Sequence, residues 1–108
     1  MNLQITAQEL AERLRSGHPP HLLDVREEEE HRFVALPNST LIPLGELVMR
    51  VDEIEDWKDQ EVVVYCHHGI RSLRAISQLK HLGFTKLRNL AGGIDRWSTD
   101  VDPSLPRY

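Results

Sequence analysis

Thiols are almost missing from this sequence. Of 108 residues only Cys66 is a cysteine, so no internal disulfide can form and any thiol chemistry falls on one side chain. A lone thiol suits a reducing, cytoplasmic compartment. Long apolar runs are missing too. No stretch approaches the roughly 20 residues that span a bilayer, and the N-terminus lacks the charged-then-apolar pattern of a secretory leader. A membrane role is therefore not expected. Basic residues are the minority, 13 Lys and Arg against 17 Asp and Glu, for a formal net charge of −4. A nucleic-acid partner needs a basic face, which argues against that class. Internal repeats, low-complexity tracts and a linker between two cores are also lacking. The remainder, 40% apolar and 28% charged, is ordinary for a single globular core of this length.

What is present alternates between strand and helix. Ile5 begins a first short strand. Thr6 with Glu9 reads as a capping box for a helix carrying Ala7, Leu10, Ala11 and Leu14 on one face. Gly17 is placed to end that helix, and Pro19-Pro20 prevents its continuation. His21-Leu-Leu-Asp-Val25 reads as a second strand. Glu27 to Glu30 opens a polar turn or short helix, a solvated acidic face favoured at a helix N-terminus. Thr40-Leu-Ile42 is a third strand, and Leu47, Val48, Val51 and Ile54 suggest a helix. Trp57-Lys-Asp-Gln60 links it to the next strand, with Trp57 as plain core or surface cover. Val62, Val63, Val64 and Tyr65 form the central strand, apolar as one buried on both faces must be. A helix from Ser72 follows, with Ala75, Ile76, Leu79 and Leu82 on one stripe, ended by Gly83. Lys86-Leu-Arg-Asn-Leu90 is a fifth strand, Gly92-Gly93 a tight turn, and Ile94 to Ser98 a short helical piece. The expected fold is a small α/β domain over residues 1–100, with a mainly parallel five-stranded sheet flanked by helices on both faces. Residues 101–108, with Pro103 and Pro106, are expected as an extended tail on the surface.

Cys66 falls at the carboxyl end of the central strand, where open α/β sheets bind ligands. A cysteine is nucleophilic only as thiolate, and an isolated thiol is mostly protonated at neutral pH. Three features favour the anion: converging loop amides, the positive end of the following helix, and the fixed charge of Arg71. An inert packing cysteine is the bland alternative, but Cys66 opens the polar run His67-His68-Gly69-Ile70-Arg71. A metal site is the other, with His18, His21, His31 and His81 elsewhere in the chain. Adjacent residues rarely share one ion with good geometry, and the spaced pairs of structural zinc sites are lacking. No metal and no cofactor are expected.

The run Cys66-His67-His68-Gly69-Ile70-Arg71 resembles the active-site loop of the rhodanese (sulfurtransferase) family, with cysteine first, glycine fourth and arginine sixth. Leu23-Asp24-Val25-Arg26 resembles the family's Asp-Val-Arg segment. Gly92-Gly93-Ile94-Asp95-Arg96-Trp97 resembles its Gly-Gly-x-x-x-Trp segment. The three lie in the family's order and span nearly the whole chain. The resemblance implies a sulfur relay. Cys66 takes sulfane sulfur from thiosulfate or a persulfide donor and carries it as a persulfide. Amides from His67 to Ser72 cradle that anion, and Arg71 shapes the loop and attracts anionic donors. Asp24 and Arg26 pair and brace the loop; Gly92, Gly93 and Trp97 serve packing at the rim. With no second cysteine, the chain cannot resolve its own persulfide, so the acceptor is external: cyanide, a thiol or a protein partner.

Two positions depart from the family pattern. Val34-Ala-Leu-Pro-Asn-Ser39 stands where the family often shows Gly-His-Ile-Pro-Gly-Ala, and His67 stands where an arginine is frequent. Protonation of His67 or His68 is expected to make donor binding pH-dependent between about pH 5.5 and 8. Related cell-cycle phosphatases carry one residue more between cysteine and arginine, because a phosphoryl group needs a wider ring of donors than one sulfur. Competing functions are a non-catalytic module that docks a partner, a redox sensor oxidised at Cys66, and a small phosphatase or arsenate reductase.

Overall fold

Val62, Val63, Val64 and Tyr65 are each fully buried, and they divide alternately between two apolar cores. A strand covered on both faces requires that division. The computed structural model describes residues 2–108 and sets this strand, β4 (Glu61–Tyr65), at the centre of a five-stranded sheet. The others are β1 (Gln4–Ile5), β2 (His21–Asp24), β3 (Thr40–Leu41) and β5 (Lys86–Leu90). Their order is β1-β5-β4-β2-β3, and every pairing is parallel.

Four α-helices lie in the connections, α1 (Ala7–Arg15), α2 (Glu28–Phe33), α3 (Leu47–Arg50) and α4 (Arg71–His81), and α5 (Gly93–Asp100) follows β5. Helix α4 covers one face through Ala75, Ile76 and Leu79, joined by Leu47 and Ile54 from the segment after β3. Helices α1 and α5 cover the other through Leu10, Ala11, Ile94 and Trp97. The expected capping box is present, with Thr6 Oγ1 accepting from the Glu9 amide and Glu9 returning to the Thr6 amide. Gly17 and Gly83 adopt the left-handed conformation just past α1 and α4, as helix-ending glycines do.

The topology positions the site. From β2 the chain crosses outward to β3, then returns past β2 to β4 and continues outward to β5. Connections therefore leave β2 and β4 in opposite directions, and the crevice beyond their carboxyl ends is the switch point of the sheet. Asp24 ends β2 and Cys66 follows β4, so both open on that crevice.

Several local expectations change. The third strand stops at Leu41, since Pro43 follows and only two residues pair with β2. The helix suggested by Leu47, Val48, Val51 and Ile54 is one short α turn running into a 3₁₀ stretch, Val51–Trp57, kinked at Ile54. Val48 consequently leaves the apolar stripe and is exposed. Trp57 stacks on His21, with ring centres 4.3 Å apart. Glu30 does not join a solvated acidic face; it is half-buried against the cysteine loop. Beyond α5, Val101 and Leu105 pack on the α1/α5 core and the chain turns back toward the crevice.

Candidate active site

Cys66 continues the β4 alternation onto the face covered by α4, and is 1% exposed. Its sulfur nonetheless meets polar groups. The Gly69 amide donates to Sγ at 3.1 Å and the Ser72 amide at 3.4 Å, while Ser72 Oγ lies 3.4 Å away. The chain achieves this by reversing sharply at Gly69, where φ is +102°, a conformation that favours glycine. Helix α4 then starts with the Ser72 amide of its first turn turned to the sulfur, as at helix-terminal anion sites. Burial pushes the Cys66 thiol up; contacts from Ser72 and the amides of Gly69 and His68 pull it down further, leaving it below its ordinary value.

Arg71 does not lie free beside the sulfur. Its guanidinium holds Glu30 in a two-pronged ion pair, at 2.7 and 2.9 Å. The Tyr108 hydroxyl donates to the same carboxylate at 2.7 Å and accepts from Arg26 at 2.8 Å. Arg26 in turn grips Asp24 with two bonds, at 2.9 and 2.7 Å, and both residues are fully buried. A continuous path thus runs Asp24–Arg26–Tyr108–Glu30–Arg71. The hydrogen bonds of Arg71 hold Glu30 far below the usual carboxylate range, at about 2. Burial pushes the Tyr108 hydroxyl up to about 12, so it stays protonated and able to donate. Asp24 and Arg26 do pair, but they reach the loop only through Tyr108 and Glu30.

The imidazole of His67 stacks on Tyr108, with ring centres 3.8 Å apart, and meets the His68 ring at a tilt, 3.9 Å between centres. Its Nε2 is buried without a partner. Burial, followed by the neighbouring His68, lowers its pKa, so His67 is chiefly neutral at neutral pH. His68 is more exposed and lies 3.9 Å from Asp95. Ile70 is 71% exposed and contributes backbone rather than a buried contact.

The glycine pair explains itself geometrically. Amides of Ile94 and Asp95, at the start of α5, donate to the Cys66 and His67 carbonyls at 2.9 and 3.1 Å. A Cβ on Gly93 would sit 2.3 Å from the His67 oxygen and 2.5 Å from the Cys66 oxygen. The last strand–helix turn is therefore docked directly against the cysteine loop. Three participants escaped the sequence reading: Glu30, Tyr108 and Asn89, which bonds to Ser72 and Gly69. Glu30 is one of four consecutive acids and nothing local marks it out. Tyr108 lies 41 residues beyond its stacking partner His67 in a proline-containing tail. Asn89 is a polar side chain that the fold buries, 2% exposed, but β5 also carries Lys86 and Arg88, so nothing in the strand marked it out.

Among the described residues, no group of three or more His, Cys, Asp or Glu side chains is arranged to hold a metal ion. A cavity of about 430 Å³ lies at the opposite, amino end of the sheet, between Pro19, Pro20, Pro37 and Trp57. Its lining includes His21 and Thr40 but no thiol and no converging amides, so the amide cradle at Cys66 is the better candidate for chemistry.

A single thiol in an amide cradle, at the switch point of a parallel sheet, defines the class: an α/β protein with a loop-borne cysteine. Comparison with known proteins narrows it. Residues 6–100 match the family model described as Rhodanese-like domain, and the chain belongs to that family. The adenylyltransferase and sulfurtransferase uba4 of Ogataea parapolymorpha is 36% identical over 97 residues, covering 90% of this chain but 25% of its own length. The chain thus spans about a quarter of that relative. Among solved structures, the human single-domain sulfurtransferase TSTD1 superposes with a TM-score of 0.81 at 28% identity, covering 93% of this chain and 98% of that one. A rhodanese-related protein from Thermoplasma volcanium gives a TM-score of 0.78 at 32% identity, over 97% and 96% of the two chains.

Proposed function

We propose that this chain is a sulfurtransferase that carries sulfane sulfur on Cys66, taking it from thiosulfate or a persulfide and passing it to an external acceptor. The observation that carries this reading is the Cys66 sulfur itself: buried, yet met by the Gly69 and Ser72 amides and the Ser72 hydroxyl at 3.1–3.4 Å. The step balances simply. The Cys66 thiolate attacks the outer sulfur of thiosulfate, a new S–S bond forms, and sulfite leaves with the electron pair of the broken bond. The charge then rests on the outer sulfur of the Cys66 persulfide, near the α4 N-terminus and the loop amides, which favour negative charge. An acceptor nucleophile, whether cyanide, a small thiol or a thiol of a protein partner, attacks that sulfur, and the Cys66 thiolate leaves. Arg71 is locked onto Glu30, so its role is to hold the loop open as much as to attract the donor. The sole, unpaired thiol suits a reducing, cytoplasmic setting, and among the described residues no helix is long and apolar enough to cross a membrane.

The test is direct. Incubation with thiosulfate should add one sulfur atom to the intact mass, cyanide should remove it as thiocyanate, and Cys66→Ser should take up none. Hydrolysis of an aryl phosphate without sulfur uptake would assign the cradle to phosphate instead.

A further inference from the structure

Ser72 has one hydroxyl proton and two neighbours competing for it. Its Oγ lies 3.4 Å from Cys66 Sγ and in hydrogen-bond contact with Asn89 Oδ1 on β5. The Asn89 amide is pinned in orientation. Its Nδ2 lies 3.4 Å from the Gly69 carbonyl, which can only accept, and 2.9 Å from Gln4 Oε1. Turning the amide over would set oxygen against oxygen, so Oδ1 is the atom that faces Ser72. An amide oxygen has no proton to offer. The Ser72 hydroxyl therefore donates to Asn89, and a lone pair is what remains for Cys66.

That arrangement suits a neutral thiol, whose S–H donates to Oγ in a chain from Cys66 through Ser72 to Asn89. It does not suit a thiolate. Once the thiol proton leaves to solvent, a lone pair faces negative sulfur, and the hydroxyl must swing to Sγ. Asn89 Oδ1, in a residue 2% exposed, then loses its donor. The penalty for that unpaired acceptor is of the same order as the gain from a bond to an ionised sulfur. In a persulfide the charge moves to the outer sulfur and Sγ is neutral again, so the hydroxyl can return to Asn89.

We propose that Asn89 is a positioning residue that holds the Ser72 hydroxyl proton away from Cys66, favouring the neutral thiol and the sulfur-loaded form over the free thiolate. The loaded half rests on the sulfur-carrier reading; the ionisation half does not. Other charged or titratable groups around Cys66 are Arg71 of α4 with its Glu30 of α2, His67 and His68 of the loop, Asp95 of α5, Tyr108 of the tail, and the Asp24–Arg26 pair beyond β2. None of them hydrogen-bonds to Ser72 Oγ or Asn89, so they are common to all the variants below.

The test is the ionisation of Cys66, followed by thiolate absorbance and by the rate of iodoacetamide alkylation against pH. Asn89→Leu should lower the apparent Cys66 pKa by about one unit, roughly a tenfold gain in thiolate below it. Ser72→Ala should move it by less than half as much, because its hydroxyl is already committed to Asn89. Adding Asn89→Leu to Ser72→Ala should then change nothing. A merely structural role would shift both backgrounds alike; that result, no shift, or an upward shift overturns the proposal. Should Asn89→Leu fail to fold, the ¹³C resonance of the Asn89 side-chain carbonyl in the unmodified protein decides. It should follow the Cys66 titration, and a static resonance overturns the proposal. No sulfur donor enters these measurements, so they fail or succeed independently of sulfur transfer.

Discussion

Arg71 shows how far a residue's meaning depends on its partner. Read along the chain, it is a fixed positive charge near the sulfur. In the fold its fork is matched to the two oxygens of Glu30, a geometry that lysine cannot reproduce. Arg71→Lys should therefore lower stability by about 1 kcal/mol and slow sulfur uptake several-fold while leaving the Cys66 amide contacts in place; a thermal melt and a single-turnover mass assay read the two effects. Glu30 makes the pH dependence explicit. Its folded pKa, pulled down by Arg71 to about 2 from an ordinary value near 4.5, gives stability that is complete above 4.5 and lost as pH falls toward 2. The stability gap between the natural protein and Glu30→Gln should close across that window. At this scale the loop from Cys66 to Arg71 was legible because its residue types and spacing lie within one short run of the chain. Glu30 and Tyr108 were not, because they act on the loop from 41 and 37 residues away from Arg71.

The elements owe their placement to two different signals. Strand β4 and helix α4 could be read directly, since a run of valines and an i, i+3, i+4 stripe each match one period. The segment from Leu47 to Trp57 misled, because its apolar spacing suits a helix while the kink at Ile54 divides it. The Gly92-Gly93 turn was recognisable as a turn, but its second purpose appears only when α5 meets the cysteine loop. Gly93 adopts φ +62° with carbonyl oxygens where a Cβ would go, so both strain and clash oppose any side chain. Gly93→Ala should cost about 3 kcal/mol or more and abolish sulfur uptake in whatever protein remains folded. A variant with natural stability and uptake would show that the loop and α5 are not docked as described.

For the whole molecule, one thiol sets the logic of turnover. No second cysteine exists to attack a Cys66 persulfide, so the loaded protein should keep its extra sulfur after the donor is removed and lose it only when cyanide or a thiol is added. Intact mass over time checks this, and spontaneous loss in dilute solution would point to a resolving step within the chain. Tyr108 ties the scales together. It stacks on His67, bridges Arg26 to Glu30 and comes from the last stretch of the chain. Tyr108→Phe keeps the stack and removes both bridges. It should cost about 1–2 kcal/mol and slow uptake less than Arg71→Lys does.

The amino-acid sequence by itself determined the alternation of strands and helices, the thiol at the end of the central strand, and the spacing of the loop that encloses it. Those are local properties, set by side-chain period and by the backbone freedom of a few glycines. Only the tertiary structure decided which carboxylate neutralises Arg71, which tyrosine covers His67 and which amide competes for the Ser72 proton. Each of those contacts joins residues distant in the chain, and distance in sequence carries no chemistry until a fold closes it.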